Sequence, residues 1–344
     1  TLMFATPLLH YQYREPMYSH TGSALVVALC ILFWWRNYQE ERFGFWQGLG
    51  LGALIGLAGL VRWQNLAYLA LPAVSMVIWW FKLPRERRHD TWLGVLVYFL
   101  LVAIGALALF AVQMFVWRIL YGSFVTIPQG PGFMDWRAPF LNPLLFSTFR
   151  GLLPWMPVFF LSVLGLFALS RHRPQFAWPL LIMLLLTLYI NGSTRDWFAG
   201  AGFGPRRFTS ELALLVIGYA GFLQVLPQRI RSWLAVLLGI LLGLHQWLLL
   251  RYGLTEGLGG RVLSMMPAFQ WEDESLSVFI TDLLRLSNEA LQEPLQTLVF
   301  SGTPLDVILR QQQLPWTHLS ILTLSTLFMI LIIGIVKLVQ RFYS

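Results

Sequence analysis

Apolar segments of about 20 residues recur along the whole chain, and this feature limits the possible folds more than any other. A helix of that length crosses the ~30 Å hydrocarbon core of a membrane. The composition agrees, because 57% of the residues are hydrophobic and only 12% are charged, whereas soluble domains carry roughly 25% charged residues. We therefore expect an all-α fold, a polytopic bundle of transmembrane helices.

The apolar segments predict about nine spanning helices. They cover residues 20–36, 46–61, 64–82, 93–117, 152–170, 175–191, 208–226, 233–250 and 317–338. The predicted organisation is a bundle with extracytoplasmic loops (1–250), an extracytoplasmic section (251–316) with an amphipathic helix near 275–292, and a final helix with a cytoplasmic tail (317–344). The chain begins without an initiator methionine, so residues 1–12 are interpreted as the end of a preceding helix.

Basic residues in alternate short connections indicate the orientation of the bundle, because cytoplasmic loops are enriched in Lys and Arg. These connections carry Arg36 and Arg42; Lys82, Arg85, Arg87 and Arg88; Arg171 and Arg173; Arg229 and Arg231; and Lys337 and Arg341. Segments 118–151, 191–207 and 251–316 then face outward. We expect a multi-pass protein of the plasma (inner) membrane whose active face is extracytoplasmic.

The formal net charge of +8 does not indicate nucleic acid as a partner. No basic, aromatic-interleaved soluble patch is present to bind it, and loop topology with anionic lipid explains a basic excess in a membrane protein. The single cysteine, Cys30, lies in an apolar run and cannot form an intrachain disulfide.

A second set of arginines lies close to the outward helix ends, where topology does not require basic residues. Its members are Arg62, Arg137, Arg150, Arg195, Arg206 and Arg207. An arginine there presents a planar fork suited to a phosphate or diphosphate. For any single arginine, the alternative is snorkelling to lipid headgroups or pairing with Asp135 or Asp196. For the group, binding of an anionic ligand is the better explanation.

The segment Arg62-Trp63-Gln64-Asn65 joins two predicted spanning helices with almost no loop. Three polar side chains therefore lie at membrane depth, where unpaired polar groups are costly. They must face the bundle interior or a wet cavity. Either they form a structural network within the hairpin, or they bind a lipid phosphate or substrate.

Other candidate site residues are one histidine and three acids. His20 follows Ser19 at a helix start and could bind a sugar or phosphate, or shuttle a proton; equally, Ser19 caps the helix and His20 only anchors it. Glu15, Asp135 and Asp196 are outward acids that could serve as a general base or a metal ligand. Acids in loops are more often solvated or paired.

Several motifs that would indicate other functions are absent from the sequence. It contains no P-loop, HExxH, GxSxG elbow or Cys/His pair at metal spacing, so no metal site or cofactor is predicted, although a divalent metal is compatible with it. Glu211 is the only clear acid within a predicted span. Coupled transporters usually keep several buried ionisable groups there, so this scarcity counts against transport.

Four motifs together resemble the GT-C superfamily of membrane glycosyltransferases, in particular bacterial relatives of protein O-mannosyltransferases and the lipid A aminoarabinose transferase. They are Ser19-His20, the segment from Gly56 to Asn65 (GLAGLVRWQN), the segment from Arg150 to Pro157 (RGLLPWMP), and the segment from Phe203 to Phe208 (FGPRRF). The motifs extend over residues 19–208, and their order and outward placement make the match moderately specific.

The resemblance implies transfer of a sugar from a polyprenyl-phosphate or polyprenyl-diphosphate carrier to an extracytoplasmic lipid, glycan or protein. It implies that Arg62, Arg206 and Arg207 bind the phosphate, with His20 and Gln64 lining the pocket. It also places the catalytic acid in the first outward loop, which we expect upstream of Thr1. A transporter or flippase for lipid-linked glycans, or a noncatalytic scaffold subunit, are the alternatives.

Overall fold

The computed structural model describes residues 5–13, 18–147, 150–200 and 203–255, and these residues form helices joined by turns and loops. The α-helices are α1 (Leu8–Tyr13), α2 (His20–Gln39), α3 (Phe45–Val61), α4 (Ala70–Lys82), α5 (Arg85–Tyr121), α6 (Leu141–Phe146), α7 (Leu152–Trp155), α8 (Val158–His172), α9 (Pro174–Gly192), α10 (Leu212–Val225) and α11 (Gln228–Thr255). Two 3₁₀ helices, Trp63–Leu69 and Arg206–Glu211, precede α4 and α10. The predicted helices 275–292 and 317–338 lie outside the described residues.

The fold is all-helical within the described residues, and it contains helices suited to a membrane. Helices cover the first eight predicted segments. By length and composition, four can cross a membrane: Trp63–Lys82, Arg85–Tyr121, Pro174–Gly192 and Arg206–Val225. Phe45–Val61 and Val158–His172 are apolar but shorter. The chain is therefore a membrane protein, and the count of nine spans stays a prediction.

One predicted connection proves to be helical. Helix α5 begins at Arg85, well before the predicted start at residue 93, and runs for 37 residues. Pro84 immediately precedes the helix, and the charged residues after it include good helix formers with no breaker among them. The helix ends at Gly122, whose φ of +75° is accessible to glycine without a Cβ clash.

Small residues let two helix pairs pack closely. On α3, Gly52 and Gly56 face the backbone of α5, and Gly105 of α5 faces α3 in return. In the same way, Gly165 of α8 lies against the carbonyl of Gly218 on α10. A Cβ at any of these positions would overlap the facing backbone. Close approach through small residues is the usual basis of helix association in lipid.

The two 3₁₀ helices place polar residues at one end of the bundle, which we call the site end. Both pack near the start of α2: Trp63–Leu69 follows α3, and Arg206–Glu211 contacts α2 directly. Two predicted outward loops also pair beside this end. Asp135 donates its backbone N–H to the carbonyl of Ser193 at 2.6 Å, and Arg195 donates to Phe133 at 2.9 Å. The chain thus gathers its dispersed polar motifs in one place.

Candidate functional site

An open pocket of about 430 Å³ lies at the site end of the bundle. The residues that give it its chemical character are His20, Arg62, Gln64, Asp196, Arg206 and Arg207. They come from the start of α2, the turn after α3, and the segment that leads into α10. All six are candidate site residues from the sequence, so the structure brings together side chains up to 187 positions apart.

Arg62 occupies the junction between α3 and the following 3₁₀ helix. Its backbone is extended (φ −153°, ψ 116°), which breaks the helix and turns the chain directly into Trp63. The guanidinium donates from Nη1 to Nδ1 of His20 at 2.8 Å. Desolvation, together with the Arg207 and Arg206 charges, lowers the pKa of Arg62 to about 10. Arg62 is therefore cationic at neutral pH and keeps further N–H donors beyond the one that His20 uses.

Arg207 is held by the segment that precedes it. Its Nη2 donates to Oδ1 of Asp196 at 2.5 Å, and its Nη1 donates to the Asp196 carbonyl at 3.1 Å and to the hydroxyl of Thr194. The Arg207 side chain is 11% exposed and that of Asp196 is 32% exposed. The pairing of an outward arginine with Asp196, considered from the sequence, is therefore present for Arg207.

Arg206 is arranged differently from its neighbour. Its guanidinium lies over the ring of Tyr18, 5.2 Å from the centroid, in a cation–π contact. Within the described residues, its side chain makes no hydrogen bond and no ion pair. Its N–H donors are therefore available to a ligand in the pocket. Three arginines facing one aspartate leave a net positive charge of two on the pocket.

Gln64 and Asn65 have different roles. Gln64 lines the pocket. Asn65 is 4% exposed and donates to the Ser23 hydroxyl at 2.7 Å and to the carbonyl of Ala58 at 2.9 Å. Ser23 in turn lies 2.7 Å from the hydroxyl of Ser210. Asn65 thus belongs to a structural network that ties α2 to both 3₁₀ helices, which was the alternative considered for this segment.

A buried carboxyl group lies beside a second, very small cavity of about 10 Å³. Glu211 is 2% exposed; it accepts a hydrogen bond from the hydroxyl of Tyr68 and another from Thr187 at 3.3 Å. Arg62 and Arg207 line both this cavity and the open pocket. The cavity is about the size of one water molecule. The Glu211 carboxyl and the two arginines therefore border the same water-sized space.

Arg150 has a different environment from the other candidate arginines. It is 1% exposed, and its Nη1 donates to the backbone carbonyls of Phe198 (3.0 Å) and Gly200. The structure therefore places Arg150 behind the 198–200 segment and outside the pocket lining. It supports the loop that carries Asp196 and leads to Arg206.

The three candidate acids lie in different places. Asp196 lines the pocket. Asp135 lies outside the lining, and its Oδ1 accepts from the backbone N–H groups of Arg137 (3.2 Å) and Ala138 (3.1 Å), which holds a local turn. Glu15 lies outside the described residues. Among the residues that the structure describes, no group of three or more His, Cys, Asp or Glu side chains could hold a metal ion.

The remaining wall of the pocket was not predicted from the sequence. Gln113 and Trp117 of α5 line it, as do Tyr18 and Gln129. Gln113 offered a signal, because it is a lone amide among apolar residues of a long helix and polar groups within spans usually face a cavity. Ser19 precedes α2 but makes no side-chain capping hydrogen bond, so the capping role considered for it is not observed.

The chain was compared with protein families, curated proteins and solved structures. No family, curated protein or solved structure matches it.

Proposed function

We propose that the chain is a membrane glycosyltransferase that takes a sugar from a polyprenyl-phosphate or polyprenyl-diphosphate carrier and passes it to an extracytoplasmic acceptor. One observation carries the proposal: Arg62, Arg206 and Arg207 converge on a single open pocket. Among the described residues its lining holds one aspartate, which is already paired with Arg207. The resemblance to GT-C enzymes gives this arrangement its chemical interpretation.

The charge and donor geometry of the pocket suit a phosphate. The Arg206 guanidinium has no hydrogen-bond partner among the described residues, and the Arg62 guanidinium uses only one of its donors, toward His20. Guanidinium groups bind phosphate oxygens through two parallel N–H bonds. In a site with little water, such donors also stabilise negative charge that develops on a leaving group.

An apolar groove that starts at the site end of the bundle suits the hydrocarbon part of such a carrier. The groove has a volume of about 650 Å³ and lies along α2 and α10. It begins at Thr21, one residue after His20, and extends to Trp35 near the far end of α2. A lipid whose phosphate lies among the arginines could place its chain in this groove.

The proposed reaction is a direct displacement of the inverting type. An acceptor hydroxyl or amine attacks the anomeric carbon, and the carbon–oxygen bond to the carrier phosphate breaks with its electron pair going to that oxygen. The acceptor proton passes to a base, and the carrier leaves as polyprenyl phosphate or diphosphate. Asp196 is the candidate base within the described residues.

Binding of the carrier tests the proposal without knowledge of the sugar. We expect the purified protein in detergent to bind undecaprenyl phosphate and to discriminate against uncharged undecaprenol. In Arg62→Ala or Arg206→Ala, the affinity should fall about tenfold or more, since each lost charge-assisted bond is worth roughly 1.5–3 kcal/mol. Arg137→Ala is the matched control, because Arg137 is exposed and outside the pocket lining. Equal affinity for both lipids would contradict the proposal.

A transporter of lipid-linked glycans is the second candidate, and the Glu211 environment favours it. A carboxyl group that is 2% exposed inside the bundle is typical of coupled transport. Reconstituted vesicles separate the two functions. Carrier movement between leaflets without sugar transfer would favour transport, and transfer without movement would favour the enzyme.

A further inference from the structure

A second polar pocket, of about 470 Å³, lies at the opposite end of the bundle from the candidate site. The 20 residues of α2 join the two ends, from His20 at the site end to Gln39 in this second pocket. At 1.5 Å per residue, the two pockets are about 30 Å apart. The basic loops predict that this end is cytoplasmic. The two pockets therefore lie near opposite faces of the predicted membrane.

The rim of the second pocket carries a surplus of unpaired cations. Lys82 ends α4, His172 ends α8, and Arg173 joins α8 to α9; among the residues that the structure describes, Glu41 is the only acid in the lining. None of these four side chains forms an ion pair within the described residues. Nearby basic residues behave differently, because Arg36 and Arg42 both pair with Glu40. Lys82 and Arg173 thus keep charge available to a ligand.

A buried hydroxyl group gives an independent indication of a ligand. Tyr38 lines the pocket and is 6% exposed, yet its hydroxyl has no hydrogen-bond partner among the described residues. Buried polar groups are almost always paired, because an unpaired one has lost water without replacement. The Tyr38 side chain lines the pocket, so a polar ligand toward which the hydroxyl turns would supply the missing partner.

The start of α9 adds to the attraction for an anion. Gln175 and Phe176 lie in the first turn of this 19-residue helix and line the pocket. The N–H groups of Phe176 and Ala177 already donate to the Arg173 carbonyl, at 3.1 and 3.0 Å, so the helix start contributes through the positive end of its dipole. The aromatic floor is apolar: Trp35 packs on Phe176 with ring centroids 4.2 Å apart. A ligand with a phosphate group and a less polar portion fits both parts.

We propose that this second pocket binds a phosphate group, coordinated by Lys82 and Arg173 and hydrogen-bonded by the Tyr38 hydroxyl. The phosphate belongs either to an anionic lipid headgroup of the adjacent leaflet or to a free phosphate compound. This site does not depend on the proposed function of the first pocket, because it shares no residue with it.

Native mass spectrometry of the detergent-purified full chain tests the proposal. The protein is titrated with phosphatidylglycerol, with zwitterionic phosphatidylcholine, and separately with inorganic phosphate. The variant is Lys82→Gln/Arg173→Gln. The control is Arg85→Gln/Arg87→Gln, which removes the same charge from exposed residues at the same end but outside the pocket lining.

Two outcomes support the site and identify its source. Phosphatidylglycerol bound at least tenfold more tightly than phosphatidylcholine, retained in the control and lost in the variant, identifies a lipid headgroup. Inorganic phosphate that binds with the same dependence on the two variants, and displaces the lipid, identifies a free phosphate compound. Equal binding of both lipids, or equal losses in variant and control, would overturn the proposal.

Tyr38→Phe separates a ligand-binding hydroxyl from one that is merely unpaired. If the hydroxyl binds the phosphate, Tyr38→Phe weakens phosphatidylglycerol binding several-fold. If it has no ligand, the substitution leaves binding unchanged and raises the thermal midpoint, because it removes a buried unpaired group. The second result would remove the hydroxyl from the site and contradict the proposal as stated.

Discussion

The Nη1 atom of Arg62 donates a hydrogen bond to Nδ1 of His20 over 2.8 Å. A guanidinium group can only donate, so Nδ1 of His20 must be the unprotonated acceptor. The remaining proton of the neutral ring is then on Nε2, and a single tautomer faces the pocket. Arg62 consequently fixes both the orientation of the ring and the atom from which His20 can donate.

This relationship predicts different results for two amide substitutions at His20. The Oδ1 atom of His20→Asn can replace Nδ1 as the acceptor for Arg62, whereas His20→Gln places its polar atoms one carbon further along. We expect undecaprenyl phosphate affinity close to the parent value in His20→Asn and about tenfold lower, roughly 1.4 kcal/mol, in His20→Gln. Nitrogen-15 NMR of labelled His20 should show a proton on Nε2. Equal affinity in the two variants would contradict the prediction.

Removing the charge of Asp196 should strengthen anion binding. In Asp196→Asn, the amide oxygen still accepts from Arg207, but one negative charge near the phosphate is lost. We expect undecaprenyl phosphate to bind about fivefold more tightly, equivalent to about 1 kcal/mol, as measured by titration in detergent. Asp135→Asn is the control, since Asp135 lies outside the pocket lining and should leave binding unchanged. If Asp196 is the base, sugar transfer falls about 10²–10⁴-fold despite the tighter binding.

The hydrogen bond between Tyr68 and Glu211 should contribute to stability. Tyr68→Phe leaves one carboxyl oxygen of Glu211 without its donor inside the bundle, at a cost of about 1–3 kcal/mol. We expect a lower thermal midpoint in detergent. Tyr219→Phe is the matched control, because the Tyr219 hydroxyl is buried and has no partner among the described residues, so its removal should not lower the midpoint. Equal losses in the two variants would mean that the Tyr68 bond is not responsible.

Alanine substitutions test the close contact between α8 and α10. Gly165→Ala places a Cβ against the Gly218 carbonyl, so the helices must separate, and we expect a loss of about 1–3 kcal/mol. Gly94→Ala is the control in α5, where an added Cβ meets nothing within 4 Å. The control should be neutral or stabilising by up to about 1 kcal/mol, because alanine is the better helix former. Unfolding in detergent measures both, and similar losses would rule out the packing explanation.

The sequence predicted where polar groups lie together, because polar residues at membrane depth must either pair with other groups or face a cavity. The Arg62 turn had to face a cavity or partners, and it does both: Arg62 and Gln64 line the pocket while Asn65 is buried in hydrogen bonds. The helical segments were also predictable, since apolar runs of the right length leave the backbone no other way to satisfy its hydrogen bonds.

The roles of individual arginines could not be predicted. Arg150 and Arg206 both lie near predicted outward helix ends. The structure encloses Arg150 in the 198–200 backbone, whereas Arg206 lines the pocket. The difference depends on how two distant loops fold against each other, and sequence spacing carries no information about that. Gln113 was missed for a related reason, since its contribution depends on which face of α5 meets α3.

The length of α5 has a consequence for the surrounding bilayer. Its 37 residues extend about 55 Å, compared with ~30 Å of hydrocarbon, and spanning helices rarely tilt by more than about 40°. Even at that tilt the helix is too long for the acyl layer, so its charged first turns, from Arg85 to Asp90, must lie among the lipid headgroups or beyond them. Because α5 is largely exposed on its outer side, lipids on that flank must adjust their thickness to the protein. A membrane that matches this length would hold the protein at a lower elastic cost than a thin one.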